Sequence, residues 1–211
     1  MLRSEFPFHT VQRDHLEPAL DVTIGSMTVK LPKIWTVGHS TRELSVFLEL
    51  LRQNRIGILA DVRRFPGSRR HPHFAHDALS RSLSDIGIEY EHFPELGGHR
   101  KPRPDSSNTA WRNDSFRGYA DYMETDEFRK GIERLLKCAK GKPTAIMCAE
   151  ALWWRCHRAL IADHLKATGY EVWHIIDAGK TELHPFTSAA RLREGKLTYS
   201  SDNDGTLLNF G

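Results

Sequence analysis

The chain has 211 residues and a formal net charge of +3, enough length for one domain with its own core and too little charge to imply nucleic acid by itself. Hydrophobic residues make up 39% and charged residues 27%, which argues against a disordered chain, and no apolar run approaches the ~20 residues that span a bilayer. Three cysteines and no signal-peptide core in MLRSEFPFHTVQRDH speak for free thiols in a reducing, cytoplasmic setting, away from membranes.

Residues 1–32 read as an N-terminal extension in which DVTIGSMTVKLP holds a hairpin or an edge strand. From Lys33 the pattern is clear. KIWTVGH is a buried strand, and Ser40-Thr-Arg-Glu43 reads as a capping box opening a helix with Leu44, Phe47, Leu48 and Leu51 on one face. IGILADVR is a second strand, parallel to the first, followed by the interrupted loop FPGSRRHPHF. A helix carrying Leu79, Leu83 and Ile86 ends at Gly87, and IEYEHF is a further strand. Residues 95–114 have no periodicity, and a loop that long is usually functional or mobile. Two helices follow, the second capped by Thr125; then the strand TAIMCA, a helix opened by Cys156-His157-Arg158 and ended by Gly169, and the strand YEVWHII. Residues 191–211 read as a loosely attached tail.

This alternation predicts a single α/β domain over 33–190: an open, mainly parallel sheet with helices on both faces and a long loop insertion. Ligands bind beyond the carboxyl ends of such strands. Those ends read His39-Ser40, Asp61-Val62-Arg63, Cys148-Ala149-Glu150 and Asp177, so polar residues converge on one edge.

VGHS, DVRRFPGSRRHPHF, LGGHRKPRP, WRNDSFRGYADYM and MCAEALWWRCHRALIADHL resemble the long form of the uncharacterised bacterial and archaeal family catalogued as domain of unknown function four-eight-eight. The resemblance spans residues 33–190, in order. It implies an α/β fold and this motif set, and it carries no established activity.

The chemistry concentrates between Cys148 and Arg158. A strand ends at one thiol and a helix starts just after the other. Helix starts attract anions, and Arg155 and Arg158 add forked donors for phosphate or carboxylate. The same field activates a thiol. Thiol phosphatases and rhodaneses use a related loop, although six residues separate Cys148 from Arg155 here, one more than is usual. The leading reading is an enzyme acting on a phosphate-bearing small molecule or nucleic acid. Cys148 is its nucleophile, and His39, Glu150 and His157 are its proton-transfer groups. Ser40, Asp61, Arg63, Ser68, Arg155 and Arg158 hold the substrate, and Trp153 and Trp154 stack its base. Each has a plainer alternative: a cap for Ser40, an ion pair for Asp61 and Arg63, packing for Cys148 and the tryptophans. A rival is a non-catalytic nucleic-acid-binding module. A third reading is a metal-binding or redox-sensing protein, with zinc on Cys148, Cys156 and His157, although Cys-x7-Cys-His is not a standard zinc spacing. No other cofactor is expected.

Overall fold

The structure is a computed structural model, and it describes residues 21–24, 27–30, 33–67 and 70–201. Strands β1 (Asp21–Ile24) and β2 (Met27–Lys30) pair as an antiparallel hairpin within one unit, residues 1–31. The second unit begins at Pro32 and holds the main sheet.

Its chain order is β3 (Lys33–Gly38), α1 (Leu44–Gln53), β4 (Ile58–Asp61), α2 (His76–Ser84), β5 (Glu89–His92), α3 (Asp114–Met123), α4 (Asp126–Gly141), β6 (Thr144–Cys148), α5 (Arg158–Ala167), β7 (Glu171–Asp177) and β8 (Lys180–Leu183). The six strands lie in the order β5-β4-β6-β3-β7-β8, all parallel except β8, which returns antiparallel along β7. Strands β3 and β4 are parallel as expected but are not neighbours, because β6 inserts between them.

Helices cover both faces, which is why β4 and β6 are buried along their whole length and apolar apart from Asp61 and Thr144 at their ends. One core layer joins Phe47, Leu50 and Leu51 of α1 and Leu79 and Leu83 of α2 to Val37, Leu59 and Met147. The other joins Phe128 and Leu135 of α4 and Leu160 and Leu165 of α5 to Ile34, Ala60 and Ile146.

Two local expectations are corrected. Helix α1 starts at Leu44 with Glu43 at its N-cap and no side-chain cap, so Ser40 does not cap it. Ser40 instead turns the chain at φ 50°, its amide spent on the Ala149 carbonyl. The chain after residue 190 is not loose throughout. Strands β9 (Arg191–Arg193) and β10 (Lys196–Thr198) form a hairpin, and Tyr199 is buried with its hydroxyl donating to Asp163 Oδ2 at 3.0 Å. Residues 202–211 lie outside the described residues.

The long loop after β5 is tied down. The Asp121 carboxylate on α3 accepts from the Arg103 amide (2.7 Å), the Ser106 hydroxyl (2.5 Å) and the Asn108 amide (2.8 Å). Gly118 allows this docking, since a Cβ there would lie 2.4 Å from the Arg100 carbonyl oxygen. No helix among the described residues is long and apolar enough to cross a membrane.

Candidate functional site

The turns after β3, β4 and β6 meet over the carboxyl edge of the sheet. Parallel pairing continues past the strands: the His39 amide donates to the Cys148 carbonyl (3.1 Å) and the Ser40 amide to that of Ala149 (2.8 Å). Gly38 permits so close an approach, because a Cβ there would sit 1.9 Å from the Glu150 carbonyl oxygen. A cleft of two lobes results. One, of about 390 Å³, is lined by Arg64, Cys148, Arg155, Cys156 and His157. The other, of about 330 Å³, is lined by His39, Ser40 and His71, and both share Arg63, Phe65 and Glu150.

Between the lobes stands Arg63. Its Nε and Nη2 donate to the Asp61 carboxylate, Nη2 to Oδ2 at 2.5 Å, and Tyr90 donates its hydroxyl to the same oxygen at 2.6 Å. Asp61 is fully buried and has both oxygens occupied, so it fixes Arg63 and is turned away from any ligand. Tyr90, on the edge strand, is a member of this clamp that sequence reading missed. Only its alternation with Glu89 and Glu91 hints that it faces Asp61.

Arg63 Nη1 also lies 3.3 Å from His39 Nε2. A guanidinium only donates, so Nε2 accepts and Nδ1 carries the proton, which it gives to the Ser40 carbonyl at 2.9 Å. Burial, reinforced by the Arg63 charge, pulls His39 down to about 4. It is neutral at pH 7, with its lone pair already facing Arg63, and its ring stacks on Phe74 at 4.2 Å.

At the larger lobe the Cys148 and Cys156 sulfurs are in contact, and the His157 ring nitrogen completes a group whose ligand atoms lie within 4.8 Å of one another. The expectation of three separate cysteines is thereby corrected: Cys148 and Cys156 are paired in the structure, and Cys138 stands alone. Short backbone links bring the pair together, since a 3-10 turn at Trp153–Arg155 swings Cys156 back under the end of β6. His157 is the N-cap residue of α5, its Nε2 on the Val62 carbonyl at 3.2 Å and its Nδ1 3.6 Å from Cys156 Sγ. Burial pulls it down to about 4 against the opposing Val62 hydrogen bond. The ring fits only because residue 98 is glycine: a Cβ there would meet Nδ1 at 2.8 Å. Gly98 carried no sequence signal beyond the Gly97-Gly98 pair itself.

Arg158, expected at the anion site, is turned inward. It is 1% exposed, donates to the carbonyls of Glu150 (2.5 Å) and Ala151 (2.8 Å), and touches Cys148 Sγ at 3.3 Å. It shapes the loop and contacts the thiol. Burial lowers it to about 9, so it remains charged at pH 7. Trp153, expected to stack a base, is buried with its ring stacked on His174 at 4.3 Å. Trp154 is 50% exposed. Arg155 and Glu150 are exposed on the cleft wall, and the Arg155 guanidinium has no hydrogen bond or ion pair among the described residues. Ser68 lies outside the described residues. Phe65, 72% exposed on the shared wall, was not anticipated.

The fold and site define a class: a mainly parallel α/β domain with a paired thiol and imidazole in an arginine-lined cleft at the carboxyl edge. Within that class the chain belongs to the family described as domain of unknown function DUF488, whose model matches residues 43–165. That span holds β4 to β6, the cleft arginines, both site cysteines and His157. No curated protein and no solved structure matches the chain significantly.

Proposed function

We propose that the protein is an enzyme acting on a phosphate-bearing small molecule in this cleft, with Cys148, Cys156 and His157 as its reactive centre. The observation that carries the reading is the unspent Arg155 guanidinium facing that centre across a cavity of about 390 Å³, large enough for a small ligand. Arg63 stands beside it, pre-oriented by Asp61 so that little is lost in fixing it on an anion. Phe65 offers a ring face for a base. Glu150, the carboxylate exposed on the wall of both lobes, is the group for proton transfer, since His39 already faces Arg63. Thiols stay reduced in the cytoplasm, the location this reading carries.

Isothermal titration with inorganic phosphate and mononucleotides, alongside phosphate-release assays over a panel of phosphate esters, tests it. Saturable binding is expected, weakened about tenfold or more by Arg155→Ala, the size of one lost charge-assisted hydrogen bond. Failure of phosphate and every nucleotide to bind would refute the reading.

A second reading, a non-catalytic nucleic-acid module, draws on exposed Phe65 and Trp154 beside Arg64 and Arg155. Against it, Arg100 is committed to the face of Tyr122 and Arg103 to Glu124, so the long loop offers few free cations. Binding of mixed-sequence oligonucleotides that weakens steeply with salt would favour this module, and no binding at low salt would remove it.

A further inference from the structure

We propose that Cys148, Cys156 and His157 bind one divalent metal ion, of zinc type, with its fourth coordination position open to the cavity. The inference deepens the reading above and rests on it only for the substrate.

The three side chains are the one group of this kind among the described residues. Thiolate and imidazole together select zinc over hard cations such as magnesium. His157 is oriented as metal-bound histidines are. A carbonyl only accepts, so Nε2 holds the proton it gives to Val62, and the Nδ1 lone pair is left on the side of Cys156. The Cα atoms of the two cysteines are 7.7 Å apart. A disulfide spans ~4.4–6.8 Å between Cα atoms. A wider frame suits two thiolates that each reach a shared ion at ~2.3 Å.

Arg158 supplies an independent argument. Its buried guanidinium touches no carboxylate; apart from backbone carbonyls its partner is Cys148 Sγ. Buried charges call for a compensating charge; the Glu150 carboxylate acts on Arg158 without touching it, and a thiolate at Cys148 would supply that charge in direct contact. Two thiolates and one guanidinium alone leave the centre with a net negative charge, unsuited to an anionic substrate. A dication reverses that sign and makes the floor of the cleft a receptor for anions. With three protein ligands and a cavity of about 390 Å³ beside them, the site has the form of a catalytic metal centre and not a closed structural one. Water or a substrate oxygen takes the fourth position.

The full chain, purified under reducing conditions without chelator, is tested by elemental mass spectrometry, and then stripped and titrated with Zn²⁺ and Co²⁺. One ion per chain is expected. Cobalt should give a thiolate charge-transfer band in the near ultraviolet with tetrahedral bands in the visible. Cys148→Ser and Cys156→Ser should each diminish that band, and His157→Gln should weaken Zn²⁺ by more than the ~100-fold that loss of an orienting partner costs at most. Cys138→Ser should change nothing. If the ligand variants do not fold, the band in the unaltered protein still decides. Zinc should also slow iodoacetamide labelling of Cys148 and Cys156 while leaving Cys138 unaffected. A folded, reduced protein that takes up neither metal would overturn the proposal. So would an intact mass two hydrogens light together with a Cys148–Cys156 linked peptide under those conditions. Phosphate titrations on stripped and loaded protein separate the two readings: metal uptake without phosphate binding upholds the metal site and refutes the phosphate-bearing substrate.

Discussion

Asp61 receives five hydrogen bonds, four from Arg63 and one from Tyr90, with no exposure to solvent. Asp61→Asn removes the charge but not the shape, leaving the Arg63 guanidinium uncompensated. It should cost about 3–5 kcal/mol, read from urea unfolding, as for other buried pairs that lose one partner. Tyr90→Phe keeps the ion pair and removes one donor to a charged oxygen, so it should cost less, about 1.5–3 kcal/mol. A loss from Asp61→Asn below that from Tyr90→Phe would contradict the clamp. Gly38 tests the cross-bracing of the turns. Gly38→Ala forces its Cβ against the Glu150 carbonyl, where both sides are backbone, and should destabilise by at least about 1–3 kcal/mol. The Asp61–Arg63 pair was legible because residues two apart share one face of a strand. The direction of Arg158 was not: a helix start announces donors, and only the folded loop shows that the carbonyls of Glu150 and Ala151 take them first.

The strands β3, β4, β6 and β7 were legible because buried parallel strands read as short apolar runs bounded by polar ends. Their order was not, since nothing in TAIMC says that it lies between the two earlier strands. The Ser40 cap was misread because Ser-x-x-Glu also suits a turn, and here the Ser40 amide is drawn to β6. The hairpin of β9 and β10 was missed for want of apolar alternation in RLREGKLT. Its docking depends on one residue beyond it: Tyr199 meets Asp163, which also accepts from His184 Nε2 and from Thr187, and its ring packs tilted against Trp111. A chain ending at residue 190 should therefore melt well below the full chain in a thermal scan, with Asp163 short of a donor and Trp111 uncovered. Tyr199→Phe alone should cost about 1.5–3 kcal/mol, the range for a hydrogen bond to a charged acceptor. Equal melting temperatures for the truncated and full chains would show that the hairpin contributes nothing.

Across the whole molecule, buried histidines set the response to acid. His174 lies under Trp153, between the Thr36 hydroxyl and His184, with the Arg158 charge nearby. Burial above all, then His184 and Arg158, pulls it down to about 2, and burial lowers His164 as well. His174 stays neutral in the fold and His164 takes up its proton at lower pH than it would unfolded, while the unfolded chain takes up protons below the ordinary pKa of 6.5. Stability should be level above that pH and fall as the pH drops from 6.5 toward 4, before most carboxylates titrate. The urea midpoint followed from pH 8 to about 4 checks this, and a flat profile would contradict it. The position of β6 has a consequence for synthesis. Strand β3 pairs only with β6 and β7, so when the first 143 residues have left the ribosome it has no neighbour in the sheet, while β4 and β5 already have each other. The sheet closes when Thr144–Cys148 emerges, and that same strand delivers the first thiol of the centre. Nascent chains halted short of β6 should be open to protease and those carrying β7 resistant, so the protein gains its sheet and its chemistry in one late step.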